Sequence, residues 1–275
     1  TADPATGAEL AEVPLSGAAD VGAAVAAAGA AQPVWAATSP LDRARALMAL
    51  REALVAEREA LARLVTLDMG KTLADARAEV GRGIESVEAA TAIPHLLKGE
   101  ALTGVARGVD VELLRQPVGV VAAISPFNFP AMIPLWFLPF AIGCGNAIVL
   151  KPSEQDPLAA VRIAEIANAV EAIPAGVVNL VNGGRAAVNA LLDHPGVDAV
   201  SFVGSAATAR HVASRAVATG KRFQALGGAK NSLVVMPDAE PAAMVEGVLG
   251  SAFGAAGQRC LAGSVAVLVG QPAEQ

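Results

Sequence analysis

The spacing of hydrophobic positions changes along this chain, and each change predicts a different element. Between residues 40 and 67, Leu47, Leu50, Leu54, Leu61 and Leu64 recur three, four or seven residues apart among Arg and Glu. That period predicts a helix with one apolar stripe and i,i+4 charge partners on its wet face. An Ala-rich helix opened by Asp20 is expected before it, over 19–31, and a second striped helix after it, over 73–97, broken at Pro94. At 109–115 the period falls to two, with Val109, Val111 and Leu113 on one face. That alternation marks a strand, one arm of a β-excursion.

From Val118 the texture becomes runs. Val118–Ile124 is apolar, then comes the turn-rich Ser125-Pro126-Phe127-Asn128-Phe129-Pro130, a helix, and the apolar strand Ala147–Leu150. Helices over 156–171, 185–192 and 206–218 then alternate with strands Val177–Val181 and Ala199–Val203. Short apolar strands alternating with helices predict right-handed βαβ crossovers, a parallel sheet and the α/β class. Past a hinge at Gly227-Gly228, a strand at Ser232–Met236, a helix over 240–253 and a strand at Val265–Val269 begin another unit.

Composition narrows the chemistry. The 275 residues are 54% hydrophobic and 17% charged, against about 25% charged in an ordinary soluble domain. Twenty Lys+Arg against 26 Asp+Glu give a net charge of −6, without the basic footprint of a nucleic-acid binder. Residues 116–150 carry no charge, and a membrane helix needs only about 20 apolar residues. Pro126, Pro130, Pro134, Pro139, Gly143 and Gly145 interrupt that run, so a buried strand, helix and strand fit it better than a membrane span. The two cysteines, Cys144 and Cys260, lie too far apart in sequence for a disulfide framework or a Cys-rich zinc site. His95, His194 and His211 form no helical pair, so no metal is expected. The absence of tyrosine excludes a Tyr acid or base. Lone cysteines and no targeting motif point to a reducing, cytoplasmic compartment.

Ligands of an open parallel sheet sit beyond the carboxyl ends of its strands. That rule selects Asn128, Lys151–Glu154 and Gly204–Ser205, each just past a predicted strand. The dinucleotide fingerprint G-x-G-x-x-G is absent, and Gly143-x-Gly145 precedes a strand instead of following one. Met69-Gly70-Lys71-Thr72 looks like the end of a phosphate loop, but Val65 stands where the partner glycine belongs and no strand precedes it. Each candidate has two readings. Asn128 is either turn chemistry or a neutral amide aimed at a developing oxyanion. Lys151-Pro152-Ser153-Glu154 is either a strand exit with a cap or a ribose site. Ser205 either caps a helix or opens a phosphate site at its N-terminus. Cys260 is either a small hydrophobe or a nucleophile whose thiolate the adjacent Arg259 favours. Cys144 lies in an apolar run with no charge near and reads as structural.

Taken together, Ser125–Pro130, Lys151–Glu154, Phe202–Ser205, Leu226–Lys230 and Gly257–Cys260 stand in an order and spacing that resemble the aldehyde dehydrogenase superfamily. The likeness runs from about residue 3 to the end. Phe127, Ala229-Lys230-Asn231, Met236–Ala239 and Ala255–Cys260 look most like its CoA-acylating branch, which acts on methylmalonate semialdehyde. The resemblance implies a parallel-sheet NAD domain over 1–98 and 118–229, an oligomerisation β-excursion over 99–117 and a partial α/β catalytic domain over 230–275. It implies that Cys260 attacks the aldehyde carbon, with the Asn128 amide and the Cys260 N–H as oxyanion hole. Hydride would pass to NAD and leave a thioester. Lys151 and Glu154 would hold the adenosine ribose and Ser205 the pyrophosphate, with Ser125, Phe127, Ser153 and Gly204 completing the cofactor site. Arg82 and Arg259 would hold a substrate carboxylate, the other reading of Arg82 being a solvated helix charge.

Departures from the superfamily pattern matter as much. Hydrolytic members place a water-activating glutamate 34 residues before the nucleophile, and here that residue is Leu226. An alkyl group cannot take a proton, whereas a thiol needs less help at neutral pH. Coenzyme A is therefore the expected acyl acceptor, and malonate or methylmalonate semialdehyde would yield acetyl-CoA or propionyl-CoA in a homodimer or homotetramer. The alternatives are a hydrolytic semialdehyde dehydrogenase and a truncated, non-catalytic NAD-binding homologue. Ala209 where the superfamily usually has glycine weakens the case for activity, and an end 15 residues past Cys260 together with the high apolar content favours the last.

Overall fold

The computed structural model describes residues 1–270, which divide into one unit ending at Leu226 and another beginning at Gly227. The first unit opens with helices α1 (Ala18–Ala37), α2 (Pro40–Ala56), α3 (Arg58–Met69) and α4 (Leu73–Ala90), then a single helical turn, α5 (Ile93–Leu96). A hairpin of β1 (Glu100–Ala106) and β2 (Val109–Leu113) follows, antiparallel and exposed at every position. The chain then alternates β3 (Val120–Ile124), α6 (Met132–Gly143), β4 (Ala147–Lys151), α7 (Leu158–Ala169), β5 (Val178–Leu180), α8 (Arg185–Asp193), β6 (Ala199–Gly204), α9 (Ala206–Ala218) and β7 (Arg222–Gly227).

The charge-free stretch forms the centre of a sheet. β3 and β4 are buried at every position and pair in parallel, Val120 opposite Ala147. The strand order is β5-β4-β3-β6-β7, with β3–β6 and β4–β5 also parallel. Successive residues serve opposite faces. Val120, Ala122 and Ile124 join a core with α1, α8 and α9, while Ala123, Ile148 and Leu150 join a second core with α2, α3, α4, α6 and α7. Among the described residues no helix is long and apolar enough to cross a membrane.

Four elements differ from expectation, and one is the helix over 73–97, which ends at Ala90 and leaves Pro94 in the first turn of α5 instead of at the break. The stripe over 40–67 is two helices, broken at Glu57 (φ −95°, ψ 3°), a break the sequence hides because fully buried Leu54 and Leu61 keep the apolar period running across it. The first helix continues through Pro33 to Ala37, anchored by Trp35, whose buried indole N–H donates to the Ile142 carbonyl at 2.7 Å. The edge strand β7 had no sequence signal, since its residues are almost all exposed and carry no apolar run.

In the second unit β8 (Asn231–Val235) pairs in parallel with β9 (Gly263–Leu268), and α10 (Pro241–Phe253) connects them through a 3-10 turn at Gly254–Gly257. Glu240 starts α10 by accepting the Ala242 and Ala243 N–H groups at 3.0 and 2.7 Å.

Candidate active site

The exits of β3 and β4 lie side by side. The Ser125 N–H donates to the Lys151 carbonyl at 3.1 Å, so the turn bearing Phe127 and Asn128 starts next to Lys151–Glu154. Ser125 is buried, Phe127 exposed and Asn128 half-buried. Lys151 is buried, and its Nζ reaches Glu154 Oε2 at 3.2 Å, while the Glu154 side chain remains half exposed. Burial pulls the Lys151 ammonium below its ordinary range, against the opposing influence of Glu154. Ser153 is buried and its Oγ accepts the Gln155 N–H at 3.1 Å, closing the turn.

The Asn128 turn is held by residues that sequence reasoning missed. Lys71 Nζ donates to the Asn128 carbonyl at 2.9 Å and to Glu79 Oε2 at 2.5 Å, and lies 4.3 Å from the Phe129 ring centroid. Glu79 Oε1 accepts the N–H groups of Ala131 and Met132 at 2.8 and 3.1 Å, capping α6. Both charged side chains are 1% exposed. The segment that resembled a phosphate loop thus supplies a buried cation to the Asn128 turn. The only advance signal was a Lys and a Glu eight residues apart, which looks like any pair of helix charges.

Beyond β6, Ser205 caps α9, its Oγ accepting the Thr208 N–H at 3.3 Å. The first-turn N–H groups of a helix have no partner within it and carry the positive end of its dipole. A methyl group at Gly204 would fall 2.4 Å from Phe202 Cζ, so the strand exit requires glycine there. Ala209 is buried against the core on this helix. Behind the Lys151 turn, Asp156 is buried with neither carboxylate oxygen hydrogen-bonded, and its pKa is raised to about 8. Burial is the main cause, Asp68 and Glu79 add to it, and the nearby Ser153 hydroxyl and Lys71 oppose it.

In the second unit Cys260 is exposed and unpaired. Its carbonyl, and that of Ala262, each accept a hydrogen bond from Asn231 Nδ2 at 2.9 Å. Just before it, Ala255, Ala256 and Gly257 are all left-handed, with φ of 51°, 55° and 72°. Two alanines in that region store local strain of about 1–2 kcal/mol each. Arg259 Nη1 donates to the Gly250 carbonyl at 3.4 Å, folding the guanidinium over the end of α10. Arg82 is on α4, with its side chain 72% exposed and paired with Glu85 at 2.8 Å. Cys144 is half-buried and unpaired. Contrary to expectation a charge does lie near it, that of buried Arg43, but burial dominates and pushes the thiol up. Among the described residues no group of three or more His, Cys, Asp or Glu could hold a metal ion.

Over residues 1–275 the sequence matches the aldehyde dehydrogenase family. The chain belongs to that family. It is 51% identical over 272 residues to malonate-semialdehyde dehydrogenase 2 of Shouchella clausii, covering 99% of this chain and 56% of that protein. It is 48% identical over 273 residues to malonate-semialdehyde dehydrogenase 1 of Oceanobacillus iheyensis, again with 99% and 56% covered. In three dimensions it is similar to methylmalonate-semialdehyde dehydrogenase from Oceanimonas doudoroffii, with TM-score 0.95, 48% identity and 98% and 55% of the two chains covered. A protein from Sinorhizobium meliloti 1021, assigned as a methylmalonate-semialdehyde dehydrogenase and solved with NAD, gives TM-score 0.90 at 48% identity, over 94% and 52%. The chain therefore spans about half the length of the curated relatives it matches.

Proposed function

We propose that this aldehyde dehydrogenase chain works in the NAD-dependent, CoA-acylating oxidation of malonate or methylmalonate semialdehyde. The observation that carries the reading is the pairing of two strand exits at the carboxyl end of the sheet, the Asn128 turn beside Lys151–Glu154, tied by the Ser125–Lys151 backbone bond. The relatives named for malonate semialdehyde support the substrate class.

The residues fit a dinucleotide. A buried ammonium and a half-exposed carboxylate three residues apart suit ribose hydroxyls, and the first turn of α9 suits a diphosphate. Bound NAD supplies the hydride acceptor. Lys151, Ser153 and Glu154 bind and orient its adenosine end, with Ser125, Phe127, Gly204 and Ser205 around it.

Cys260 Sγ adds to the aldehyde carbon, and the oxygen that gains charge is met by the Asn128 amide and the Cys260 N–H. Loss of hydride from the resulting thiohemiacetal leaves an acyl group on Cys260. Arg259 and Arg82 hold the substrate carboxylate, for which a guanidinium fork is suited. A three-carbon semialdehyde can yield a two-carbon acyl group only if its carboxyl carbon leaves as CO2. The thiolate of coenzyme A then takes the acyl group, because Leu226 offers no base to activate water. We further propose a cofactor domain over 1–98 and 118–229, a catalytic segment from 230 and a β1–β2 excursion over 99–117 that pairs subunits in a dimer or tetramer. The excursion exposes Leu102, Val105, Val109, Val111 and Leu113. Two unpaired cysteines support a reducing, cytoplasmic setting.

The test is an assay of the complete protein that carries this chain, with each semialdehyde and NAD, with and without CoA. NADH together with acetyl-CoA or propionyl-CoA is the expected result, and Cys260→Ala abolishes it while NAD binding persists. Free acid formed equally well without CoA would replace this reading with the hydrolytic one. No NADH from a folded preparation would leave a nucleotide-binding homologue without catalysis.

A further inference from the structure

We propose that the buried Lys71–Glu79 pair is a positioning device that fixes the Asn128 turn for catalysis. The proposal rests on the reading of Asn128 as an oxyanion donor. The pair brackets the turn from both sides. Lys71 Nζ holds the Asn128 carbonyl at 2.9 Å, and Glu79 Oε1 holds the N–H groups of Ala131 and Met132 at 2.8 and 3.1 Å. The 2.5 Å contact between the two charges joins these grips into one unit. Rotating the Asn128 peptide would break a part-buried, charge-assisted hydrogen bond.

Stability alone does not call for such a pair. Replacing a buried ion pair with apolar side chains of like volume is often neutral or stabilising. Among the described residues every grip of the pair outside itself falls between Asn128 and Met132. The helices are shaped to deliver it. Gly70, left-handed at φ 92°, ends α3 and turns Lys71 inward. One turn beyond Glu79, a methyl group at Gly83 would lie 2.7 Å from Leu135 Cδ1. The glycine lets α6 close on α4 there, which brings the start of α6 within reach of Glu79. Sub-ångström placement of an oxyanion donor is what such rigidity serves, since removing one donor costs about 100-fold or more in kcat.

The experiment is a mutant cycle in the complete protein, reading kcat, KM and NAD affinity for semialdehyde oxidation. The variants are Asn128→Ala, the double variant Lys71→Met with Glu79→Gln, and all three together. Removing both charges leaves no uncompensated ion in the core. Asn128→Ala and the double variant are each expected to lower kcat at least tenfold, with NAD affinity within twofold of the parent. The triple variant is expected to be no slower than Asn128→Ala. If the double variant keeps kcat while Asn128→Ala loses it, the positioning role is overturned and the oxyanion reading stands. If Asn128→Ala keeps kcat, both fall. If the losses multiply in the triple variant, the pair acts elsewhere and the proposal is wrong. Should the double variant not fold, Lys71→Met alone, which removes the grip on the Asn128 carbonyl while Glu79 keeps its two N–H groups at the start of α6, carries the same comparison.

Discussion

Asn231 Nδ2 lies 2.9 Å from the carbonyl oxygen of Cys260 and 2.9 Å from that of Ala262, so one side-chain amide staples the cysteine loop to the start of β8. The loop needs the staple because the left-handed run at Ala255–Gly257 ahead of it stores strain. Asn231→Asp keeps the shape but removes both donors. It should destabilise the second unit by about 0.5–1.5 kcal/mol, the net worth of an ordinary hydrogen bond, because the exposed Cys260 carbonyl can turn to water. It should also loosen Cys260, and semialdehyde turnover is expected to fall at least tenfold. Thermal melting and the rate of Cys260 alkylation check the two effects, and an unchanged alkylation rate would remove the staple role.

Lys151 and Glu154 should contribute unequally to NAD binding. The Lys151 ammonium is buried, whereas Glu154 is half exposed and remains solvated. A charge-assisted hydrogen bond from a buried group is worth about 1.5–3 kcal/mol. Lys151→Ala is therefore expected to weaken NAD at least tenfold, and Glu154→Gln by only a few fold. Titration of the protein with NADH, followed by nucleotide fluorescence, reads both. Equal losses would mean that Glu154 carries as much of the ribose contact as Lys151.

Why some of this was legible in sequence, and some not, has a physical cause. β3 and β4 announce themselves because both faces are buried, which demands uninterrupted apolar runs. The candidate residues at their exits were located by the same signal, since strand ends can be read even where side-chain contacts cannot. β7 left no trace because an edge strand with exposed faces needs no apolar run. The break at Glu57 was hidden because the leucines on both sides feed one core. Lys71 and Glu79 escaped for a different reason. Their partner is the backbone of a turn more than 50 residues away, and no periodicity encodes a contact at that separation. Asn231 entered only through family resemblance, because its double grip depends on a loop closed 29 and 31 residues later.

Gly204 should tolerate no side chain. A Cβ there would meet the Phe202 ring at 2.4 Å, so that buried ring would have to shift. Gly204→Ala is expected to cost about 1–3 kcal/mol through overpacking. It should also displace the start of α9, so NAD affinity falls together with the melting temperature. Ser205→Ala tests the same helix start from within the proposed cofactor site. It removes the cap at about 1 kcal/mol but adds no bulk. If Gly204→Ala lowers stability and leaves NAD affinity intact, α9 is not part of the cofactor site.

The contribution of Asp156 to the stability of the first unit should fall as pH rises from about 4 to about 8. Its folded-state pKa is raised from 3.8 to about 8, chiefly by burial, with Asp68 and Glu79 adding to the rise. Between those values the folded chain holds a proton that the unfolded chain releases. The unfolded state therefore binds fewer protons, and the free energy of unfolding decreases with pH across that window. Below the lower value the group is protonated in both states and contributes nothing. Above about 8 it is ionised in both, and the full cost of burying the charge, on the order of a few kcal/mol, is present. Asp156→Asn removes that charge and keeps the volume. The variant should match the parent near pH 4 and exceed it increasingly up to pH 8–9. Urea denaturation at several pH values gives the two curves, and parallel curves would mean that Asp156 is ionised in the folded protein throughout.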